Sequence, residues 1–181
     1  MAGQRLTDKS ALSNHTGPGD LYMIVDVSDT TGSAAGTSKK LDSKFVIQTD
    51  KISVSAVELQ ALKTTPKTLV SAPGSGYAII PLNFTIFNTY SSGPETAKIT
   101  IMFGHTGTTD VSLACASISN YMKSVTTSAT YIISNAAMVT GFQMTKTTSI
   151  DNIPLYLSGD DGFAGGFTMD VYVTYQIILL S

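Results

Sequence analysis

A chain of 181 residues can bury a full core, and at the usual domain size of about 100–200 residues it fits one domain plus an arm better than two domains. Only 13% of residues are charged, about half the roughly 25% usual in globular proteins, while serine and threonine make up roughly a quarter, a polar but nearly uncharged surface suited to packing against other subunits. A net charge of −2 offers no basic field to nucleic acid or anionic lipid, a single cysteine excludes an intrachain disulfide and a cysteine-based metal site, and no apolar run approaches the ~20 residues that span a bilayer.

Residues 1–19 are polar with scattered apolar positions, the pattern of an extended arm that orders by docking on something else. Residues 1–10 lack the apolar segment of a signal peptide, so synthesis in the cytoplasm is expected. Leu21, Met23, Val25 and Val27 alternate at period two and predict a strand, ended by Ser28, Asp29, Thr30 and Thr31. Residues 31–37, with Gly32 and Gly36, predict a loop, and Phe45 and Ile47 a short strand after the Lys39-Lys40 pair. The chain divides near residue 50, into an arm over 1–50 with short strands and a domain over 51–181.

From Lys51 the alternation strengthens. Ile52 and Val54 begin a strand that leads into a capping box, Ser55 with Glu58, so a short helix starts at Ala56. Leu59 and Leu62 share its buried face, and Pro66, with the restricted Thr65 before it, ends it near Lys63 or Thr64. A strand over 67–72 follows, then a tight turn at Pro73, Gly74, Ser75 and Gly76, and a new strand from Tyr77. Ala78, Ile80, Leu82, Phe84 and Ile86 form one apolar face and Ala97, Ile99, Ile101 and Phe103 another, separated by a hairpin-like turn at Ser91, Ser92, Gly93 and Pro94. Cys115, in the apolar run 111–118, reads as a buried small hydrophobe. The pattern weakens between 112 and 153, with strands at 131–133 and 138–144. Phe167, Met169, Val171, Val173, Tyr175, Ile177 and Leu179 alternate over more than twice the common strand length of about 5–6 residues, which predicts a strand that bends or runs on into a neighbouring subunit. The fold class is all-β: an antiparallel β-sandwich or jelly roll with one short helix, preceded by an extended N-terminal arm.

Candidate chemistry is sparse. His15 and His105 each stand in His-Thr-Gly without an acidic partner at ligand spacing, and read as turn residues. Asp160-Asp161-Gly162 begins like a calcium loop, but Phe163, Ala164 and Gly165 fall where further oxygen ligands are needed. Gly74-Ser75-Gly76 lacks the lysine of a phosphate-binding loop, and no serine has the Gly-x-Ser-x-Gly context of a nucleophile elbow. Asp26 and Asp29 could be paired for glycosidic hydrolysis, yet their place in the arm makes solvated loop residues the default. Asn14 and Asn83 match the glycosylation pattern, which is common by chance. No catalytic residue, metal site or cofactor is expected, and the tyrosines serve as edges of a β core or of a subunit interface.

Two segments carry a resemblance. Residues 53–80, with the phrase Thr65-Pro66-Lys67-Thr68-Leu69-Val70 and then Ala72-Pro73-Gly74-Ser75-Gly76, closed by the Gly-rich turn 159–166 and the aromatic strand 167–178, resemble a domain recurrent in tailed-bacteriophage structural proteins. Residues 20–29, DLYMIVDVSD, followed by Gly36-Thr37-Ser38-Lys39-Lys40-Leu41, are similar to the amino-terminal segments of phage head-fibre and tail-fibre proteins. The resemblance implies a non-enzymatic virion structural protein, made in the host cytoplasm and located in the virion. It would be a capsid decoration, head-fibre or adaptor protein, because no shaft repeat or coiled-coil heptad is present. Its arm would dock through Leu21, Met23, Val25 and Val27 on a major capsid protein or a tail or baseplate protein, and the domain would form a homo-oligomer, a trimer before other states, without nucleic acid or membrane as partner. The alternative is a tail-fibre or baseplate knob for host adsorption, contacting a receptor or host-surface glycan through Tyr90, Asn120, Tyr121 and Asn152.

Overall fold

The computed structural model describes residues 21–31, 36–42, 45–105, 107, 114–134 and 150–180. The strand expected at 138–144, His15 and Asn14 lie outside the described residues. The chain falls into two units, Met1–Val46 and Ile47–Ser181.

The described part of the first unit is a two-stranded antiparallel ribbon, β1 (Leu21–Asp26) with β2 (Thr37–Asp42), in register from Leu21 opposite Asp42 to Asp26 opposite Thr37. The strand expected at 21–27 is thus present, but its backbone is paired within the arm. Asp29 shapes the connection: its Oδ1 accepts the N–H (3.1 Å) and hydroxyl (2.6 Å) of Thr31, and its Oδ2 pairs with Lys39 at 2.9 Å.

The second unit contains eight strands and one helix among the described residues: β3 (Gln48–Val54), α1 (Ala56–Ala61), β4 (Lys67–Val70), β5 (Tyr77–Ser92), β6 (Ile101–Gly104), β7 (Ala116–Ile118), β8 (Ala129–Ser134), β9 (Leu155–Gly159) and β10 (Gly166–Leu179). Two four-stranded antiparallel sheets result, ordered β3-β10-β5-β8 and β4-β9-β6-β7. The pairing is nested: β3 with β10, β4 with β9, β5 with β8, β6 with β7. It is the pattern of one long antiparallel ribbon whose successive segments go to alternate sheets, rolled so that β10 also meets β5 and β9 meets β6. Eight strands in this double Greek key are a jelly roll.

The period-two patterning puts its apolar half between the sheets. Along β10, Phe167, Met169, Val171, Val173 and Tyr175 are buried while Thr168, Asp170, Tyr172 and Thr174 alternate with them on the other face. Phe84 of β5 meets Phe103 of β6 across the sandwich with ring centroids 4.4 Å apart, both fully buried, each contributing on the order of 2–3 kcal/mol by burial. β10 runs its full length beside β5, with a register shift between Thr174 and Tyr175 at which Leu82 of β5 is the extra residue.

The residues expected as a hairpin-like turn, Ser91 to Pro94, instead lead from one sheet to the other, since β5 and β6 are not paired. Ala97 and Ile99 precede β6 rather than belonging to it. Ile99 is buried there, its carbonyl accepting the Tyr121 N–H at 2.8 Å. The helix begins at Ala56 as expected: Glu58 N–H reaches Ser55 Oγ (3.3 Å) and Ser55 N–H reaches Glu58 Oε2 (2.8 Å), the reciprocal capping box. It ends at a Leu62 cap, slightly earlier than expected, with Leu59 and Leu62 buried. No helix among the described residues is long and apolar enough to cross a membrane.

Candidate assembly surfaces

Sheet β3-β10-β5-β8 turns one face away from the core. The register lines up Lys51, Tyr172, Thr85 and Ile132 in one row, and Ser53, Asp170, Phe87 and Thr130 in the next. Opposite residues of an antiparallel pair share a face, so these rows are what the sheet presents. Ile132 is 69% exposed and Phe87 46%, and Phe87 meets the Tyr172 ring edge-on at 5.5 Å. The two charges in these rows neutralise each other: Lys51 Nζ lies 2.9 Å from Asp170 Oδ2 and 5.8 Å from the Tyr172 ring centroid. Ser53 Oγ donates to Asp170 Oδ1 at 2.6 Å, and with Lys51 it holds the Asp170 carboxyl below its ordinary range. The face is aromatic, aliphatic and hydroxylated, without net charge in these rows. Phe87 and Ile132 escaped sequence analysis because each extends an apolar run, Phe87 after Ile86 and Ile132 before Ile133; only their parity sets them outward.

A half-open depression of about 340 Å³ adjoins that face where β3 turns into α1, lined by Ser53, Val54, Ser55, Glu58, Thr89, Thr168, Met169 and Asp170. Its two carboxylates already have donors: Lys51 and Ser53 on Asp170, and on Glu58 the Lys67 ammonium, the Ser55 N–H and the Ser55 hydroxyl at 2.8 Å. Lys67 first, then Ser55, pull the Glu58 carboxyl down to about 2. Glycosidic hydrolysis by two carboxyls needs one of them kept protonated by a raised pKa. Both here move the opposite way.

The residues expected to contact a receptor do not form one patch. Tyr121 is 1% exposed, and its hydroxyl donates to Asn88 Oδ1 at 2.6 Å; burial pushes its pKa well up. That ring packs against Tyr131, Phe163 and Phe167, so the expectation of Tyr121 as an exposed stacking residue is corrected: it is part of the core. Tyr90 is half-buried near the end of β5, its N–H bonded to Ser128 Oγ at 3.2 Å. Asn120 is exposed beside Tyr121, in a left-handed conformation (φ 53°). Asn152 is exposed at the other end of β5, its N–H bonded to Tyr77 O (2.9 Å) and its Oδ1 to Gly74 N–H (2.9 Å). At ~3.3 Å per strand residue, Tyr77 and Tyr90 of β5 are ~40 Å apart, which separates Asn152 from the other three.

For arm docking, β1 places Leu21, Met23 and Val25 at alternate register positions, opposite Asp42, Lys40 and Ser38. Val27 lies just past the strand and is 76% exposed. Asp160 and Asp161 serve the fold: Asp160 Oδ1 accepts Thr100 N–H at 2.8 Å, and Asp161 Oδ1 accepts Gly162 N–H (3.0 Å) and pairs with Lys63 (3.2 Å). Among the described residues no three His, Cys, Asp or Glu side chains gather as metal ligands.

No family model matches this chain, and no curated protein matches it. Among solved structures, a chain of the cyanophage Pam1 capsid asymmetric unit is similar at 15% identity and a TM-score of 0.42, over 99% of this chain and 99% of that one. A chain of the Israel acute paralysis virus crystal structure is similar at 11% identity and a TM-score of 0.33, over 95% of this chain and 96% of that one.

Proposed function

We propose that this chain is a non-enzymatic structural protein of a bacteriophage particle, a capsid decoration, head-fibre or adaptor protein that attaches by its N-terminal arm and self-associates through its jelly roll. The observation that carries this is the nested strand order, β3-β10-β5-β8 over β4-β9-β6-β7. Double Greek-key jelly rolls recur in viral capsid domains, in lectins and in cupins. All three share the fold, so the filling of the core distinguishes them. The space between these sheets is filled by side chains such as Phe84, Phe103, Leu157 and Val171, which favours a packing module over a barrel holding a ligand. The residues resembling phage virion segments point the same way.

Two surfaces fit the role. A lone two-stranded ribbon is marginally stable in water, so β1 and β2 gain order by being covered, and β1 with Leu21, Met23 and Val25 supplies the apolar positions for docking on a capsid protein. The outer face of β3-β10-β5-β8, with Phe87, Tyr172 and Ile132 and with Lys51 and Asp170 paired to each other, supplies a surface for copies of the same chain, in a closed symmetric oligomer. Light scattering of the full chain and of a version starting at Ile47 tests this; starting later would remove β3 residues that pair with β10. The same oligomer from both is expected. Monomers from both sink the self-association, and a monomer from the shortened chain alone makes the arm an exchanged part of the oligomer instead of an anchor.

A further inference from the structure

His105 directly follows β6 and is 3% exposed. Three backbone carbonyls, of Pro154, Ile153 and Ile79, take part in bonding its ring, and they come from the turn before β9 and from β5. The imidazole therefore ties the end of one strand to the beginnings of two others. Its Nδ1 is buried and has no hydrogen-bond partner. The neutral ring can carry its single proton on Nε2, toward one of these carbonyls, and leave Nδ1 bare. A second proton would place an N–H and a full charge where no acceptor stands, which a buried site opposes strongly.

We propose that His105 is a proton-operated latch: the neutral imidazole holds the β6 end against the turn before β9, and protonation releases it. Among the described residues, the ionisable groups on the surrounding elements are Cys115, Asp151, Tyr77 and Tyr156. Burial pushes the Cys115 thiol up, so it stays neutral, and it bonds the His105 backbone. Asp151 directs Oδ1 at the Gly76 N–H, 2.7 Å away. Tyr77 begins β5, and Tyr156 stands opposite Gly104 in the β6–β9 register.

Burial holds the His105 pKa below its ordinary value, outweighing the carbonyls. The unfolded or opened chain therefore takes up a proton that the closed form refuses. Stability is complete above the ordinary histidine value of about 6.5 and falls as pH drops below it, with the unfolding constant rising by up to ~10-fold per pH unit.

The test is urea unfolding of the full chain between about pH 7.5 and 5, with hydrogen exchange at the Ile153 and Leu155 amides, for the wild type and for His105→Gln. The wild type should lose stability and protection across that window, and the variant should lose neither as steeply. Equal slopes overturn the proposal. The chain has two histidines, so in a His15→Gln background the imidazole NMR signal is that of His105 alone, which serves if His105→Gln does not fold. A ring that stays neutral below about pH 6.5 until 153–155 open supports the latch; one that titrates at or above that value in the closed chain overturns it.

Discussion

Several single residues here owe their identity to backbone passing close by. A Cβ on Gly166 would stand 1.8 Å from the Ser92 carbonyl oxygen and 2.6 Å from its Oγ, and neither can retreat easily, because Gly166 N–H bonds Gly93 O (2.9 Å) and Ser91 Oγ bonds Gly166 O (2.9 Å). Gly166→Ala should therefore cost about 3 kcal/mol or more in urea unfolding, at the upper end of overpacking effects; a loss under about 0.5 kcal/mol would mean that the bulge at Gly166/Phe167 shifts freely. Glu95 is 1% exposed yet charged. Its burial alone would raise its pKa, but the N–H groups of Ala97, Gly165, Ala164 and Thr96 prevail and hold it below its ordinary value. It thereby fastens the start of the β5–β6 connection to the loop before β10, at 2.7 Å to Ala164 N–H and 3.0 Å to Gly165 N–H.

Short elements were legible from the sequence where their signals are local. The capping box placed the start of α1 at Ala56, and the turn glycines placed the start of β5 at Tyr77, with Gly74 at φ 103° and Gly76 at φ 83°. Pairing was not legible, because it is set by partners far along the chain: Thr49 meets Thr174, hydroxyl to hydroxyl at 2.9 Å, across 125 positions. Thus Ser91 to Pro94 looked like a hairpin turn when it is a crossing between sheets. Tyr121 was misplaced for a similar reason, since alternation does not say that it finds Asn88 in the core. At this scale α1, only six residues long, depends on its cap. Ser55→Ala should cost about 1 kcal/mol. Glu58, whose folded pKa of about 2 lies below the ordinary 4.5, contributes stability that is complete above the ordinary value and is lost as pH falls from there toward about 2. The difference between wild type and Glu58→Gln in urea should accordingly shrink over that range; a constant difference would show that Lys67 and Ser55 do not favour the charged form.

For the molecule as a whole, the sparsely charged composition and the outward Phe87 and Ile132 make self-association the central expectation. Replacing Phe87 and Ile132 together by serine should shift the mass seen by light scattering toward monomer. The cost to fold stability should stay within about 1 kcal/mol, because both side chains point away from the core. Unchanged mass would move the contact to another face. The nested ribbon has a further consequence, in time. β10 lies between β3 and β5, so the first sheet has no middle until residues 166–179 have been synthesised. Contacts this distant along the chain also form slowly, in milliseconds to seconds for comparable β topologies. A nascent chain interrupted before residue 166 holds every strand of β4-β9-β6-β7 but cannot join β3 to β5, so one half of its sandwich stays open and translation itself decides which copies can close.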